Sequence, residues 1–434
     1  MKIVISGERL SRQLTDSPNG NVGQAVRDAI NFGFTIANFD GAIIQEEHLM
    51  YVIDRRAFSR APGLVLLCTA FGTVAFGQAA APQSQMAEEV YKDIRLLKGM
   101  PVDQLLDTMG FFSASTNLNC IDCHGVAAGG DWTLYAKDSP KKTIARRMIV
   151  MVQELNKANF GGGRAVTCFT CHRGDVHPLT TPSLLIQNSA PVLDPNEFQV
   201  ERATQGTPSA DQVFSKYFQA LGGAQELAKL TGAVLHGEYE GYDTDFEKRG
   251  VEIYAMAPDR KTVVIHYRGG DSLNTFDGRD GWIAEADKPV PLIQLTGGSL
   301  EGAKVDAVAL FATGLPQLRS EWKTGFTVID DQDVVVAEGT GDSKLPLKLY
   351  FDKKSGLLVR LVRYSQLSVG RIAAQFDFAD YRSVPGTGVK LPYKLIATWV
   401  NGRSTTRVSS IDVNPAIPDS RFIKPSLPAT AGAR

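Results

Sequence analysis

Cys120-Ile121-Asp122-Cys123-His124 and Cys168-Phe169-Thr170-Cys171-His172 are two CxxCH stretches in one chain, and their reading decides the rest. Two thiols separated by two residues can reach both vinyl groups of a haem as thioethers. A histidine directly after the second thiol then lies under the ring, with a nitrogen for the iron. The pattern predicts two covalently bound haems c, attached through Cys120, Cys123, Cys168 and Cys171, with His124 and His172 on the irons. Four cysteines in two CxxC pairs would also suit a zinc ribbon, and one pair a redox dithiol. Neither calls for a histidine after both second cysteines.

Methionine is a common second axial ligand to such an iron. Met109 lies on a segment that reads as a helix from Pro101 to about Ser115. Pro101 suits the first turn, and Val102, Leu105, Leu106, Met109 and Phe112 form one apolar stripe. A second helix opens at Ser139-Pro140, an N-cap followed by proline, and runs through Ile144, Met148, Met151 and Leu155 towards Gly161-Gly162-Gly163. Periodicity allows either Met148 or Met151 as a ligand. His177, just before Pro178, is a further candidate, though an exposed surface histidine is the simpler reading.

Several stretches around these motifs carry a family likeness. They are Val90-Tyr91-Lys92, Leu97-Lys98-Gly99-Met100-Pro101, Ala145-Arg146-Arg147-Met148-Ile149-Val150-Met151-Val152 and Val166-Thr167-Cys168-Phe169-Thr170-Cys171-His172-Arg173-Gly174. With the Met109 helix, they make residues 86–178 resemble one half of the tetrahaem cytochrome c subunit of photosynthetic reaction centres. The resemblance implies that each haem follows a helix whose methionine is the distal ligand. By position it pairs His124 with Met109 and His172 with Met148, and makes Met151 a packing residue one turn on. That family carries two such repeats; this chain has one.

The 434 residues allow two or three domains, and a net charge of −1 gives no reason to expect a nucleic-acid partner. Arg55-Arg56-Ala57-Phe58-Ser59-Arg60 reads as the basic start of a secretory signal. The apolar run Gly63 to Phe76 and the small residues of Gly77-Gln78-Ala79 complete it. The run is shorter than the roughly 20 residues that span a bilayer. Residues 50–79 are therefore read as a signal peptide, with translation starting at Met50 and residues 1–49 as a non-native extension. Of five cysteines, Cys68 leaves with the signal peptide, so the mature chain has none for a disulfide.

The expected order after export is a dihaem module over 80–177, a Pro-rich linker over 178–208, a β domain over 209–425 and a tail over 426–434. The linker, punctuated by Pro178, Pro182, Pro191, Pro195 and Pro208, predicts few obligatory contacts between the halves. Asp211–Leu221 reads as a helix broken by Gly222-Gly223. Alternating segments then follow, among them Val251–Met256, Thr262–Arg268, Leu358–Tyr364, Gln375–Tyr381 and Ser404–Ile411. Asp352-Lys353-Lys354-Ser355-Gly356 and Asn401-Gly402 are hairpin signals.

Gly222-Gly223, Phe276-Asp277-Gly278-Arg279-Asp280-Gly281-Trp282, Tyr350-Phe351-Asp352, Gly356-Leu357-Leu358-Val359-Arg360 and Asp380-Tyr381-Arg382 with Leu391-Pro392 resemble LolA-like lipoprotein-sorting half-barrels. That resemblance implies a concave sheet around a hydrophobic guest. The fold class is thus multidomain α+β: a small α-helical dihaem cytochrome c module followed by an antiparallel β half-barrel.

The leading functional reading is an exported dihaem c-type cytochrome. It would carry electrons between partner proteins in the periplasm or on the outer face of the cytoplasmic membrane, peripheral to it at most. It would be an electron-transfer protein rather than an enzyme, with methionine ligation favouring relatively high potentials. One alternative is a dihaem peroxidase or oxidase, which needs an iron with an open position. Another is a lipid or lipoprotein carrier whose haems sense redox state, with a hydrophobic ligand or lipoprotein held in the β domain.

Overall fold

Apolar and polar residues alternate from Gly232 onward, and in the computed structural model these segments build one sheet. The structure describes residues 43–46, 49–52, 84–125, 132–182, 184, 206–286, 288–341 and 345–426. The basic and apolar stretches of the expected signal peptide, most of the linker and the end of the tail lie outside the described residues. The chain divides into two units, Met1–Ala79 and Ala80–Arg434. In the first, β1 (Ile43–Glu46) and β2 (Leu49–Val52) form an antiparallel hairpin.

The second unit opens with helices. These are α1 (Ala87–Val90), α2 (Val102–Thr116), α3 (Cys120–His124), α4 (Pro140–Asn159) and α5 (Cys168–His172), with a 3₁₀ turn at Trp132–Ala136. Then come α6 (Ala210–Ala220) and α7 (Ala224–Ala228), followed by β3 (Gly232–Gly241), β4 (Arg249–Met256), β5 (Arg260–Tyr267), β6 (Gly270–Phe276), β7 (Gly281–Glu285) and β8 (Leu292–Gln294). Helix α8 (Gly297–Val308) leads to β9 (Glu321–Ile329), β10 (Gln332–Thr340), β11 (Leu347–Asp352), β12 (Leu358–Gln366), β13 (Arg371–Ser383), β14 (Lys390–Trp399) and β15 (Gly402–Val413).

β3 to β15 form one 13-stranded antiparallel open sheet in the order β8-β7-β6-β5-β4-β3-β15-β14-β13-β12-β11-β10-β9. It is two meanders joined where β3 pairs with β15. Helix α8 contacts β5 and β6 on one side of that seam and β12 on the other. One helix can touch strands so far apart in the order only if the sheet curls around it. The main core fills this concave face, with Phe214 and Tyr217 of α6, Leu221 at its C-cap, and Val305 and Val308 of α8 packed on Leu235, Ile253, Leu349 and Leu361.

Simple alternation fails at β10. Val335 and Ala337 enter the main core, yet Val334 and Val336 are also buried, with Tyr350 and Val362 on the outer face. The local signals agree well with the structure. Ser139 Oγ accepts from Lys142 N at 3.2 Å and caps α4. Gly356, at φ +79°, closes the β11–β12 turn with its N–H on Asp352 O at 2.8 Å.

The helical part does not stand apart from the sheet. Val102, 2% exposed, packs on Val290 and Ile293. Asp103 accepts from Thr296 N at 2.7 Å and from Thr296 Oγ1 at 2.9 Å, and Ser299 Oγ donates to Asp107 at 3.0 Å. These carboxylates hold the first turn of α8, whose N-cap Thr296 makes no side-chain cap of its own. A Cβ on Gly110 would stand 2.8 Å from Asn401 Oδ1, and one on Gly370 would stand 2.7 Å from the Phe111 ring. The expectation of few contacts between the halves is therefore corrected. It considered only the linker and not α2, which has a face for each half.

Candidate haem-binding site

Each CxxCH forms a helix of little more than one turn, because a local cap stands before it. Asn119 Oδ1 accepts from Asp122 N at 3.1 Å, and Asp122 Oδ2 accepts from Asn119 N at 2.9 Å, a reciprocal cap for α3. Before α5, Thr170 Oγ1 accepts from Thr167 N at 3.0 Å. The short helices bring each cysteine pair and its histidine together on consecutive turns. Cys120 and Cys171 are exposed, Cys123 and Cys168 are half-buried, and none of the four is in a disulfide. Burial pushes the Cys123 and Cys168 thiols up from their usual value.

The two histidines share one arrangement. His124 Nδ1 lies 3.0 Å from Tyr135 O, and His172 Nδ1 lies 2.9 Å from Asp175 O. A main-chain carbonyl can only accept, so each Nδ1 carries the proton and each Nε2 is left with its lone pair. This second hydrogen bond is what fixes ring and tautomer in a metal-ligating histidine. The His124 ring also stacks on Tyr135, with centroids 4.7 Å apart. Burial holds the His124 imidazole below its usual value against the pull of the Tyr135 carbonyl, which favours the neutral, ligating form.

The helices around these turns are tied to them. Ser139 Oγ donates to Cys123 O at 2.8 Å, so the N-cap of α4 rests on the first motif. Asn156, 8% exposed, donates to Val166 O at 2.7 Å and accepts from Val166 N at 3.0 Å, clamping the approach to the second. Gly174 N donates to Ser115 O at 2.9 Å, joining the end of α5 to α2. Helix α4 contacts both α3 and α5, and α2 contacts α5.

Met109 is half-buried on α2 beside Met100 and Leu105. Met148 is half-buried on α4, whereas Met151 is 49% exposed. The expected stripe on α2 is corrected in two places: Phe111 rather than Phe112 is the buried aromatic, at 6%, and Leu106 is 45% exposed. His177 is exposed, its N–H on Asp175 Oδ1 at 2.8 Å.

These residues fit two haems c. The thiols are unpaired, each imidazole is pre-set through Nδ1, and apolar side chains stand uncovered around the motifs. Ile121, Ile144 and Phe169 are each about half exposed, at 48%, 55% and 52%. Most of the large apolar side chains exposed among the described residues lie between Leu106 and Leu184, so the protein alone leaves this module's apolar surface uncovered. Among the described residues no group of three or more His, Cys, Asp or Glu side chains converges. The four cysteines thus lack the convergence of an all-cysteine zinc cage.

Sequence reasoning missed Tyr135, Asp175 and Asn156. Asp175 had a signal in the tight turn His172-Arg173-Gly174-Asp175; the other two act across gaps that no spacing marks.

Fold and site together present two CxxCH turns in a helical segment joined to an antiparallel open sheet. Residues 71–218 match the family described as the photosynthetic reaction centre cytochrome C subunit. The photosynthetic reaction center cytochrome c subunit of Roseobacter denitrificans is 28% identical over 132 residues, 29% of this chain and 34% of that protein. That of Thermochromatium tepidum is 33% identical over 105 residues, 23% of this chain and 24% of that protein. The chain thus spans about a third and a quarter of the length of these relatives.

The sheet half is similar to a LolA superfamily protein from Nitrosomonas europaea, with a TM-score of 0.34 and 15% identity over 50% of this chain and 98% of that one. A second similar structure is an outer membrane lipoprotein-sorting protein domain from Vibrio parahaemolyticus. Its TM-score is 0.33, with 12% identity over 48% of this chain and 97% of that one. No described helix is long and apolar enough to cross a membrane.

Proposed function

We propose that this protein is an exported electron carrier holding two haems c, with His124 and Met109 on one iron and His172 and Met148 on the other. The observation that carries it is the repeated histidine geometry. Two CxxCH turns each fix the imidazole through Nδ1 on a main-chain carbonyl and leave Nε2 for an iron. A bound haem supplies one-electron redox chemistry. The chain's residues attach it, set the imidazole and cover its apolar faces.

Several features support the reading. The thioether of a methionine stabilises the ferrous state more than a second imidazole, which raises the potential. Helix α4 contacts both motif turns, so one rigid element serves both sites and favours exchange between them. The working place is outside the cytoplasm, in the periplasm or on the outer face of the membrane, and the partners are donor and acceptor proteins.

Near-infrared magnetic circular dichroism of the purified holoprotein, combined with a redox titration, tests this. The expected result is methionine-to-ferric-iron bands for both haems, two one-electron steps and no carbon monoxide binding. An iron that binds carbon monoxide readily in the native protein overturns the carrier reading in favour of a peroxidase or oxidase.

A further inference from the structure

Helix α4 opens against its own dipole. Its first turn carries Lys141 and Lys142 and no acid, although a helix N-terminus favours negative charge. Lys141 is answered by Asp122 of the first CxxCH turn, Nζ to Oδ1 at 3.3 Å. Lys142 is half-buried and takes another direction. Its Nζ donates to Lys137 O at 2.8 Å and to Tyr135 O. Tyr135 O is also the oxygen that fixes His124, whose Nδ1 lies 3.0 Å from it. One carbonyl thus takes two donors, an imidazole N–H and an ammonium, as its two lone pairs allow.

The second motif is built differently at this point. His172 Nδ1 lies 2.9 Å from Asp175 O, and among the described residues no ammonium or guanidinium donates to that oxygen. The charges beside that turn are Arg173 and Asp175, one of each sign. Around Lys142 the balance is positive. Burial holds its ammonium below the usual value and Arg146 adds to that, while Asp93 and Asp138 pull the other way. Both of those carboxylates are bonded to Arg95 and to Arg146. With Lys142 the group holds three cations against two carboxylates, one positive charge in excess.

A hydrogen bond from Nδ1 to a good acceptor makes a metal-ligating imidazole more basic. A more basic ligand gives the iron more electron density and favours its ferric state. The ammonium draws density out of the Tyr135 carbonyl, so His124 has a poorer acceptor than His172. The charge of Lys142 also opposes the added positive charge of a ferric iron. Both effects have the same sign. We propose that Lys142 is a positioning residue of the first haem site. It acts through the Tyr135 carbonyl on His124 and raises the reduction potential there, but not at His172. The inference rests on the dihaem reading of the two motifs.

The experiment is a redox titration of the haem-loaded full chain, followed by paramagnetic proton NMR so that the two sites are read separately. Lys142→Met keeps the aliphatic stem and removes the charge. It should shift the reduction equilibrium at the His124 site at least tenfold towards the ferric form, which is about 59 mV for a one-electron step. The His172 site should move less than threefold. Lys142→Arg keeps a donor cation and should retain most of the wild-type value, which a role as a mere pin for the Trp132–Ala136 turn does not require. Lys141→Met removes the neighbouring charge held by Asp122 and should shift either site less than threefold. Covalent haem per chain is measured on every variant. Fewer than two haems in the wild type removes the dihaem reading, and this inference with it. Two haems with an unmoved His124 site in Lys142→Met overturn this inference alone. So does an equal fall at both sites, a fall of the same size in Lys142→Arg, or one of the same size in Lys141→Met.

Discussion

Asp103→Ala should loosen helix α2 from the sheet. The carboxylate is 5% exposed and accepts from Thr296 N at 2.7 Å and Thr296 Oγ1 at 2.9 Å. Hydrogen bonds to a charged group contribute about 1.5–3 kcal/mol, and a buried donor left orphaned costs about 1–3 kcal/mol. Removing the charge also removes its burial cost, and Gln104 Nε2 still donates to Thr296 Oγ1 at 3.1 Å. A net loss of about 2–3 kcal/mol follows.

Urea unfolding followed by the Soret band reports the helical half. Tryptophan fluorescence reports mainly the sheet, which holds Trp282, Trp322 and Trp399. With a slope of about 2–3 kcal/mol per M, the Soret midpoint should fall by about 1 M. Asp103→Asn keeps an acceptor for Thr296 N and should lose less than about 1 kcal/mol.

Burial raises the Asp103 carboxyl above its usual value, despite the opposing pull of the Thr296 hydrogen bonds. The folded protein therefore holds that proton more tightly than the unfolded chain does. The resulting stability is fully present below the unfolded value, about 3.9, and is lost as pH rises through the raised folded value. Within that window, acidification should favour the wild type relative to Asp103→Asn. A loss below about 0.5 kcal/mol for alanine, or an asparagine as costly as alanine, would refute the reasoning.

Three other changes follow from the same contacts. Gly370→Ala drives a Cβ to 2.7 Å from the buried Phe111 ring and should cost about 1–3 kcal/mol, read from the same Soret transition. Asn156→Leu removes both partners of Val166; peptide mapping should show haem lost preferentially from Cys168 and Cys171 rather than from the first motif. Met148→Leu keeps volume, so packing should lose under about 1.5 kcal/mol, but one methionine-to-iron band should vanish and carbon monoxide should bind. Met151→Leu, at a 49% exposed position, should change neither; the reverse outcome would shift the ligand by one turn.

The parts of this protein that were legible in its sequence are those whose chemistry is local. The CxxCH pattern lies within five residues, so Cys120–His124 and Cys168–His172 stand out before any fold is known, and both form short helices. Helix starts were readable because Ser139-Pro140 acts within one turn, and the β11–β12 hairpin because Gly356 sits at positive φ.

What stayed hidden is long-range. Asp103 and Thr296 are 193 positions apart, and nothing in either segment announces the bond. Phe111 was passed over for Phe112 because a stripe drawn for one core ignores a helix that packs on two. Val334 and Val336 are buried because the outer face of β10 is covered as well, which no alternation rule foresees.

Covalent haem content per chain tests the central claim most directly. Intact-mass measurement of the mature holoprotein, with haem absorbance per mole after acid–acetone extraction, should give two haems that stay with the protein, one for each CxxCH in the sequence. Cys168→Ala should leave the first haem unaffected and reduce the covalent content by up to one half. A wild-type protein that carries fewer than two, or a Cys168→Ala variant whose haem content is unchanged, contradicts the account.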